Sequence, residues 1–114
     1  MGITKAEALK AVDRERGPVC EASDRIWDQP ETAFQEFHST DVLCELLEKE
    51  GFRVERNLAG IATAFSGTYG SGKPVVGILG EFDALSGLSQ ESESLEKTAL
   101  VDGAPGHGCG HNLL

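Results

Sequence analysis

The sequence predicts a small α/β domain in which two helices precede three strands. Apolar residues recur with a helical period through the first part of the chain, and the pattern changes to strand-like alternation after Gly51. An apolar run at 74–79 then follows a glycine-rich turn. The chain has 114 residues, which suffice for one domain and are too few for two. We therefore expect helices packed on a sheet that these residues only partly complete.

The first helix is predicted over residues 3–28, and Gln29-Pro30 ends it because the residue before a proline disfavours helical geometry. Gly17-Pro18 interrupts the pattern, so a kink or a division into two helices is expected there. The apolar face of this helix comprises Ile3, Ala6, Leu9, Ala11 and Val12, and is closed by Ile26 and Trp27.

The second helix is predicted to begin at Ser39 or Thr40 and to end at Glu50. Gly51 follows where a left-handed residue commonly terminates a helix. The apolar stripe of this helix consists of Val42, Leu43, Leu46 and Leu47.

Three strands are predicted after the helices, at 52–56, 61–69 and 74–79. The last of them is uniformly apolar, so we expect it to be buried. Residues 70–73 have the composition of a turn, which predicts an antiparallel hairpin between the second and third strands. Residues 86–104 are rich in serine and glutamate without any period, and predict a surface loop.

The charge balance excludes several classes of partner. The chain has 10 Lys and Arg against 19 Asp and Glu, a formal charge of −9. Nucleic acids and anionic membrane surfaces both attract basic patches, so neither is expected to bind. No apolar run is long enough to cross a bilayer, and the start of the chain lacks a secretory signal pattern. Three widely spaced cysteines do not make a disulfide framework, which favours a reducing, cytoplasmic location.

Residues 67–74 nearly match the phosphate-binding pattern G-x-x-x-x-G-K-[ST]. Pro74 stands where that pattern needs a hydroxyl for magnesium, and a strand-like segment follows where a helix should begin. We therefore predict a glycine turn and reject nucleotide binding.

The glycine-rich segment 106–112 contains His107, Cys109 and His111, three residues that can bind metals. Thiolate and imidazole suit zinc and its first-row neighbours, and glycine lets the backbone bend so that nearby side chains converge. The clustering favours a metal site. A glycine loop with an incidental thiol stays open, because tetrahedral sites need about four ligands. A nucleophilic pair of Cys109 with His107 is a second alternative.

Glu81 and Asp83 end the predicted buried strand. Ligands often gather at the carboxyl ends of strands in α/β sheets. A carboxylate there binds a metal directly or orients a ligating histidine, and a solvated strand end is the alternative.

Two segments together resemble the aminoacylase and carboxypeptidase superfamily of co-catalytic metallo-exopeptidases: residues 76–85, VGILGEFDAL, and residues 106–114, GHGCGHNLL. The His-x-Cys-Gly-His motif is similar to that of amidohydrolases in the p-aminobenzoyl-glutamate hydrolase branch. Residues 27–34 resemble the early Pro-Glu segment of the family, and residues 62–65 fit that branch too. The likeness covers the whole chain but only the opening portion of a family member.

The resemblance implies the N-terminal part of a zinc-exopeptidase-like, three-layer α/β catalytic domain. Cys109 and His111 match two metal ligands of the family, and Asp83 matches the acidic residue that orients a ligand near the metals. His107 matches the first histidine of the motif, which need not be a ligand. Glu81 falls where some distant relatives place a metal-binding histidine.

The resemblance also implies two divalent ions, zinc or manganese, and a small acyl-amino acid, aminobenzoyl-glutamate or dipeptide as substrate. The family reaction is hydrolysis of the amide by a metal-activated water. The general-base glutamate, the later ligands and a second domain that usually mediates homodimerisation would lie beyond Leu114. We therefore expect the 114 residues alone to be inactive, and a non-catalytic metal-binding or interaction module stays open as an alternative.

Overall fold

The computed structural model describes residues 2–114 and contains two helices and one two-stranded sheet. The elements are α1 (Lys5–Asp28), α2 (Phe37–Lys49), β1 (Arg53–Arg56) and β2 (Phe65–Thr68), with short 3-10 turns at Leu58–Gly60 and His111–Leu113. This composition confirms the mixed α/β class. Within the described residues, neither helix combines the length and apolarity needed to cross a lipid bilayer.

Helix α1 begins with a reciprocal cap. The Thr4 hydroxyl accepts a hydrogen bond from the Glu7 backbone N–H at 3.3 Å, and the Glu7 carboxylate accepts one from the Thr4 N–H at 2.7 Å. The helix is continuous through Pro18, so the predicted division into two helices is wrong. Proline costs this helix one backbone hydrogen bond, but the packing of its second half stabilises the helical path on both sides.

The apolar core lies where the second half of α1 crosses α2. Ala22 and Ile26 of α1 meet Val42 of α2, and Leu43 and Leu46 pack against them. Ile26 is only 1% exposed. The apolar face predicted for the first half of α1 is left uncovered by the described residues, since Ile3, Leu9 and Val12 are all exposed.

Helix α2 starts at Phe37, before the predicted serine or threonine, because a distant side chain caps it. The Glu31 carboxylate accepts hydrogen bonds from the backbone N–H groups of His38 at 2.9 Å and Ser39 at 2.8 Å. Glu36, the residue at the cap position, makes no such bond with its own side chain. An anion at a helix N-terminus is also favoured by the helix dipole.

The C-terminus of α2 ends as predicted at a left-handed glycine. Gly51 has φ +84°, a conformation that strains any residue with a Cβ. Its N–H donates to the Glu48 carbonyl at 3.0 Å, and the Phe52 N–H donates to the Leu47 carbonyl at 2.9 Å. These two bonds satisfy carbonyls that the helix would otherwise leave unpaired.

Strand β1 pairs antiparallel with β2, with Arg53 opposite Thr68 and Arg56 opposite Phe65. The strand predicted at 52–56 is confirmed, and the one predicted at 61–69 is shortened to Phe65–Thr68. Between the strands the chain turns through Asn57, which has φ +58°, and returns so that Phe65 lies opposite Arg56.

The third predicted strand, 74–79, and its hairpin with the second are wrong. Residues 75–83 have no regular secondary structure, and the expected burial is absent, since Ile78 is 96% and Leu79 98% exposed. A strand is held by ladder hydrogen bonds and by packing on its faces. Strand β2 pairs with β1 instead, and within residues 2–114 nothing pairs with or covers the 74–79 run.

Residues 86–104 contain neither helix nor strand, as predicted. The Gln90 side chain organises this loop by donating to the Glu96 carbonyl at 2.9 Å and accepting from the Thr98 N–H at 3.2 Å. The Ser89 N–H donates to the Ala104 carbonyl at 3.1 Å, which closes the loop at its base.

Candidate metal centre

Short backbone bridges bring the acidic segment and the glycine loop together. Thr32 and Ala84 form an isolated parallel bridge, and Leu85 and Gly106 form an antiparallel one with two hydrogen bonds of 3.1 Å. Ala84 is buried, so the backbone next to Asp83 is held inside the molecule. The bridges therefore fix Asp83 beside the loop that carries the motif.

Close packing requires one glycine of the motif and constrains a second. A Cβ on Gly106 would lie 2.3 Å from the Leu88 carbonyl oxygen, far inside van der Waals contact. A Cβ on Gly108 would lie 3.2 Å from the same atom. At Gly106 the backbone consequently passes closer to residue 88 than any side chain would permit, and at Gly108 a side chain would require residue 88 to shift slightly.

His111 lies between two carboxylates. Its Nδ1 is 3.1 Å from a carboxylate oxygen of Asp83 and also 3.1 Å from the Asp83 carbonyl oxygen. Its Nε2 is 3.3 Å from a carboxylate oxygen of Glu81. The possible ligand atoms of these three residues all lie within 4.8 Å of one another. The structure thus brings the predicted Asp83 and His111 together and adds Glu81.

The contacts of His111 favour one tautomer of its ring. Both Asp83 oxygens near Nδ1 are acceptors, so a proton on Nδ1 satisfies them, and in that tautomer the lone pair is on Nε2. That lone pair faces the Glu81 carboxylate. Two electron-rich atoms at this distance repel each other unless a proton or a cation lies with them.

The donor set fits a divalent metal. Imidazole suits zinc and its neighbours, and carboxylate suits zinc and manganese. Two atoms bound to one tetrahedral zinc ion at about 2.0–2.1 Å lie roughly 3.3–3.4 Å apart, and the distance between His111 Nε2 and Glu81 is 3.3 Å. Asp83 on Nδ1 has the position of a carboxylate that orients a ligating histidine.

Cys109 lies next to this group but outside it. Its side chain is partly buried, and its sulfur is 4.0 Å from the Asp83 carbonyl oxygen, the atom that His111 also contacts. The Cys109 thiol and the His111 imidazole, both on the glycine loop, thus contact the same residue, Asp83. The ligand role of Cys109 stays a prediction.

His107 is buried and does not pair with the Cys109 thiol. The ring is 2% exposed and lies 6.5 Å from the Trp27 ring. Burial lowers the pKa of His107 below its usual 6.5, and the neighbouring His111 lowers it further. The contact of the Cys109 sulfur is with Asp83, so the structure does not form the nucleophilic pair with His107.

Sequence reasoning missed a contact that anchors the glycine loop. The Asn112 side-chain amide donates to the Ser23 hydroxyl of α1 at 2.9 Å. The two residues are 89 positions apart, so no local pattern could have paired them. This bond attaches the end of the motif to the packed helices.

Comparison with curated proteins finds relatives that are all hydrolases by name. The chain is 48% identical over 104 residues to one p-aminobenzoyl-glutamate hydrolase subunit of Escherichia coli (strain K12), covering 91% of this chain and 22% of that protein. It is 32% identical over 90 residues to thermostable carboxypeptidase 1 of Saccharolobus solfataricus, covering 77% of this chain and 22% of that protein. It is 27% identical over 126 residues to the human Xaa-Arg dipeptidase, covering 98% and 25%.

These similarities confirm the resemblance seen in the motifs. The chain is similar to members of the aminoacylase and carboxypeptidase superfamily, including one of its p-aminobenzoyl-glutamate hydrolase branch. It spans between 22% and 25% of the length of these relatives. No protein-family model matches the chain.

Proposed function

We propose that these residues form part of the metal centre of a metal-dependent amidohydrolase. The complete protein would hydrolyse the amide bond of an N-acyl-amino acid, aminobenzoyl-glutamate or a dipeptide, with two divalent ions, zinc or manganese. It would work in the cytoplasm as a homodimer. Support comes from the names of the relatives and from the donor set at residues 81–111.

The observation that carries the proposal is the arrangement around His111. A solvated strand end would leave its carboxylates pointing to water without a common partner. Instead, the partly buried Asp83 accepts the proton of Nδ1, and Glu81, although 64% exposed, faces the lone pair of Nε2. That environment favours a cation beside Nε2 and suits a ligand site.

The roles of the side chains follow from this geometry. Asp83 holds the ring of His111 in one orientation and raises the basicity of Nε2 by accepting the Nδ1 proton. Glu81 and the thiolate form of Cys109 complete the donor set that this chain offers. A bound divalent ion supplies a Lewis acid that polarises the amide carbonyl and activates water.

Metal binding is the first experiment. The purified chain is titrated with Zn²⁺ and with Mn²⁺ by calorimetry, beside His111→Ala and Cys109→Ser. We expect both substitutions to weaken binding by at least about 10-fold, as loss of a ligand or its support does. His38→Ala and Cys20→Ser are matched controls, because they remove an imidazole and a thiol outside the group and should leave binding unchanged. Equal affinity in all variants would refute the ligand assignment.

Hydrolysis is the second experiment. The 114-residue chain is incubated with p-aminobenzoyl-glutamate and added Zn²⁺ or Mn²⁺, and release of p-aminobenzoate is followed. We expect no detectable turnover, because an imidazole, a thiol and two carboxylates provide neither a complete site nor a wall that excludes water. Chelator-sensitive turnover by this chain at the rate of the 48% identical relative would show that the catalytic machinery lies within these residues.

A further inference from the structure

We propose that Glu31 is a positioning residue for the metal centre, because it fastens the segment carrying Asp83 to the start of α2. This inference rests on the proposed function, since it concerns how that site is held in shape. Glu31 lies in the connection between α1 and α2 and is not one of the clustered ligand atoms, so it would act only through the residues it holds.

Both oxygens of the Glu31 carboxylate are fully engaged. One accepts the His38 N–H at 2.9 Å, and the other accepts the Ser39 N–H at 2.8 Å and the Ser39 hydroxyl at 2.9 Å. Ser39 is completely buried, and Glu31 and its three bonds are partly buried. Hydrogen bonds to an ionised group at a helix N-terminus are stronger than neutral ones. The side chain of Glu31 is therefore a rigid attachment to α2.

The backbone of Glu31 holds the segment that carries Asp83. The Glu31 carbonyl accepts the Ala84 N–H at 2.7 Å, and Thr32 bridges Ala84 in parallel. Ala84 directly follows Asp83 and is 1% exposed. One residue thus links the start of a packed helix to the backbone beside the carboxylate that contacts His111.

The link continues into the glycine loop. Leu85 follows Ala84 and exchanges two hydrogen bonds of 3.1 Å with Gly106, which opens the loop. The distance between Asp83 and His111 therefore depends on two bridged segments whose attachment to α2 runs through Glu31. The glycine loop has its own bond to α1, from Asn112 to Ser23, whereas the segment of Asp83 is attached to α2 through Glu31.

Replacing Glu31 should consequently disturb the metal centre more than it disturbs the fold. Glu31→Gln keeps the size of the side chain, but its amide NH₂ cannot accept, so one α2 donor loses its partner. Residues 31–32 then move relative to α2, and Asp83 moves relative to His111. A displaced supporting carboxylate costs about 10-fold or more in metal affinity.

The experiment compares Glu31→Gln with Val42→Ala. Val42 is buried between α1 and α2, so its truncation lowers the stability of the same helix pair, and Val42 takes no part in the hydrogen bonds of Glu31. Each chain is measured in two ways: by side-chain ¹⁵N NMR, which reads the proton position on His111 without any metal, and by titration with Mn²⁺. Thermal unfolding shows that both variants remain folded.

We expect wild type and Val42→Ala to keep the proton on Nδ1 of His111 and to share one Mn²⁺ affinity. Glu31→Gln should mix the two tautomers and bind Mn²⁺ about 10-fold more weakly. An unchanged tautomer in a folded Glu31→Gln chain, or an equal loss in Val42→Ala, overturns the positioning role. If wild type binds no Mn²⁺ while the tautomer still responds to Glu31→Gln, the proposed function fails and the positioning role stands.

Discussion

The first part of the chain, residues 5–68, and the last part, residues 74–114, obtain their order from different sources. The first contains both helices, the sheet and the apolar core. The last is held by isolated bridges, close glycine contacts and side-chain bonds, yet it carries Glu81, Asp83, Cys109 and His111. Chemistry commonly resides on irregular segments positioned by a rigid scaffold. Stability and metal binding should therefore respond to different substitutions.

A matched pair of isoleucines, one in each part, gives the largest expected effect. Ile26→Ala opens a cavity in the core between α1 and α2, where Ile26 is 1% exposed, and should lower the free energy of unfolding by about 2–5 kcal/mol. Ile78→Ala removes the same atoms from a side chain that is 96% exposed, and should change it by less than about 0.5 kcal/mol. Urea unfolding followed by circular dichroism measures both. Similar losses would mean that residues 74–79 are packed after all.

Asp83→Asn should leave the first part of the chain intact and weaken the metal site. The substitution keeps the shape of the side chain but removes the charge that accepts the Nδ1 proton of His111. Loss of such a supporting carboxylate costs about 10- to 100-fold in metal affinity. Asp102→Asn, on the exposed loop, is the control. If Asp83→Asn binds the metal as tightly as wild type, Asp83 is a solvated carboxylate and does not support the site.

Gly106→Ala tests whether close packing positions the glycine loop. The new Cβ would lie 2.3 Å from the Leu88 carbonyl, so the backbone must shift and the bridge with Leu85 should weaken. Overpacking of this kind costs about 1–3 kcal/mol, and hydrogen exchange at the Leu85 and Gly106 amides should report it locally. Gly77→Ala is the control, because nothing lies within 4 Å of its Cβ. Unchanged protection at both amides would contradict the role of the contact.

The smallest effect concerns the pH dependence contributed by His107. Burial lowers the pKa of His107 below 6.5, so at a pH where the unfolded chain takes up a proton the folded chain does not. The contribution of His107 to stability is therefore complete above pH 6.5 and declines as the pH falls below that value. His107→Gln removes this contribution, and the unfolding midpoints of both chains above and below pH 6.5 measure it. Parallel curves would show that His107 titrates normally when folded.

The parts of the fold that the sequence predicts are those coded by neighbouring residues. Gly51 ends α2 and the alternation at 52–56 forms β1, because a cap and a strand pattern act locally. The strand prediction at 74–79 is wrong for the complementary reason. The composition of this run suits a strand, but pairing depends on partners that composition does not contain, and β2 pairs with β1.

The candidate site divides in the same way. Clustering in the sequence already indicates the glycine motif and the carboxylates at 81 and 83. The resemblance already places Asp83 beside a ligand of the metals, and the fold identifies His111 as its partner. The cap from Glu31 and the bond from Asn112 to Ser23 join residues that no local pattern pairs. Only the fold could show them.

The central claim is that His111 binds a metal through Nε2 while Asp83 holds Nδ1, and side-chain ¹⁵N NMR during a Zn²⁺ titration tests it most directly. The chain has three histidines, so each ring can be followed. We predict that Zn²⁺ shifts the Nε2 resonance of His111, leaves the proton on Nδ1 and leaves His38 unchanged. Zn²⁺ binding that shifts His38 but not His111, or that moves the proton of His111 to Nε2, would contradict the claim.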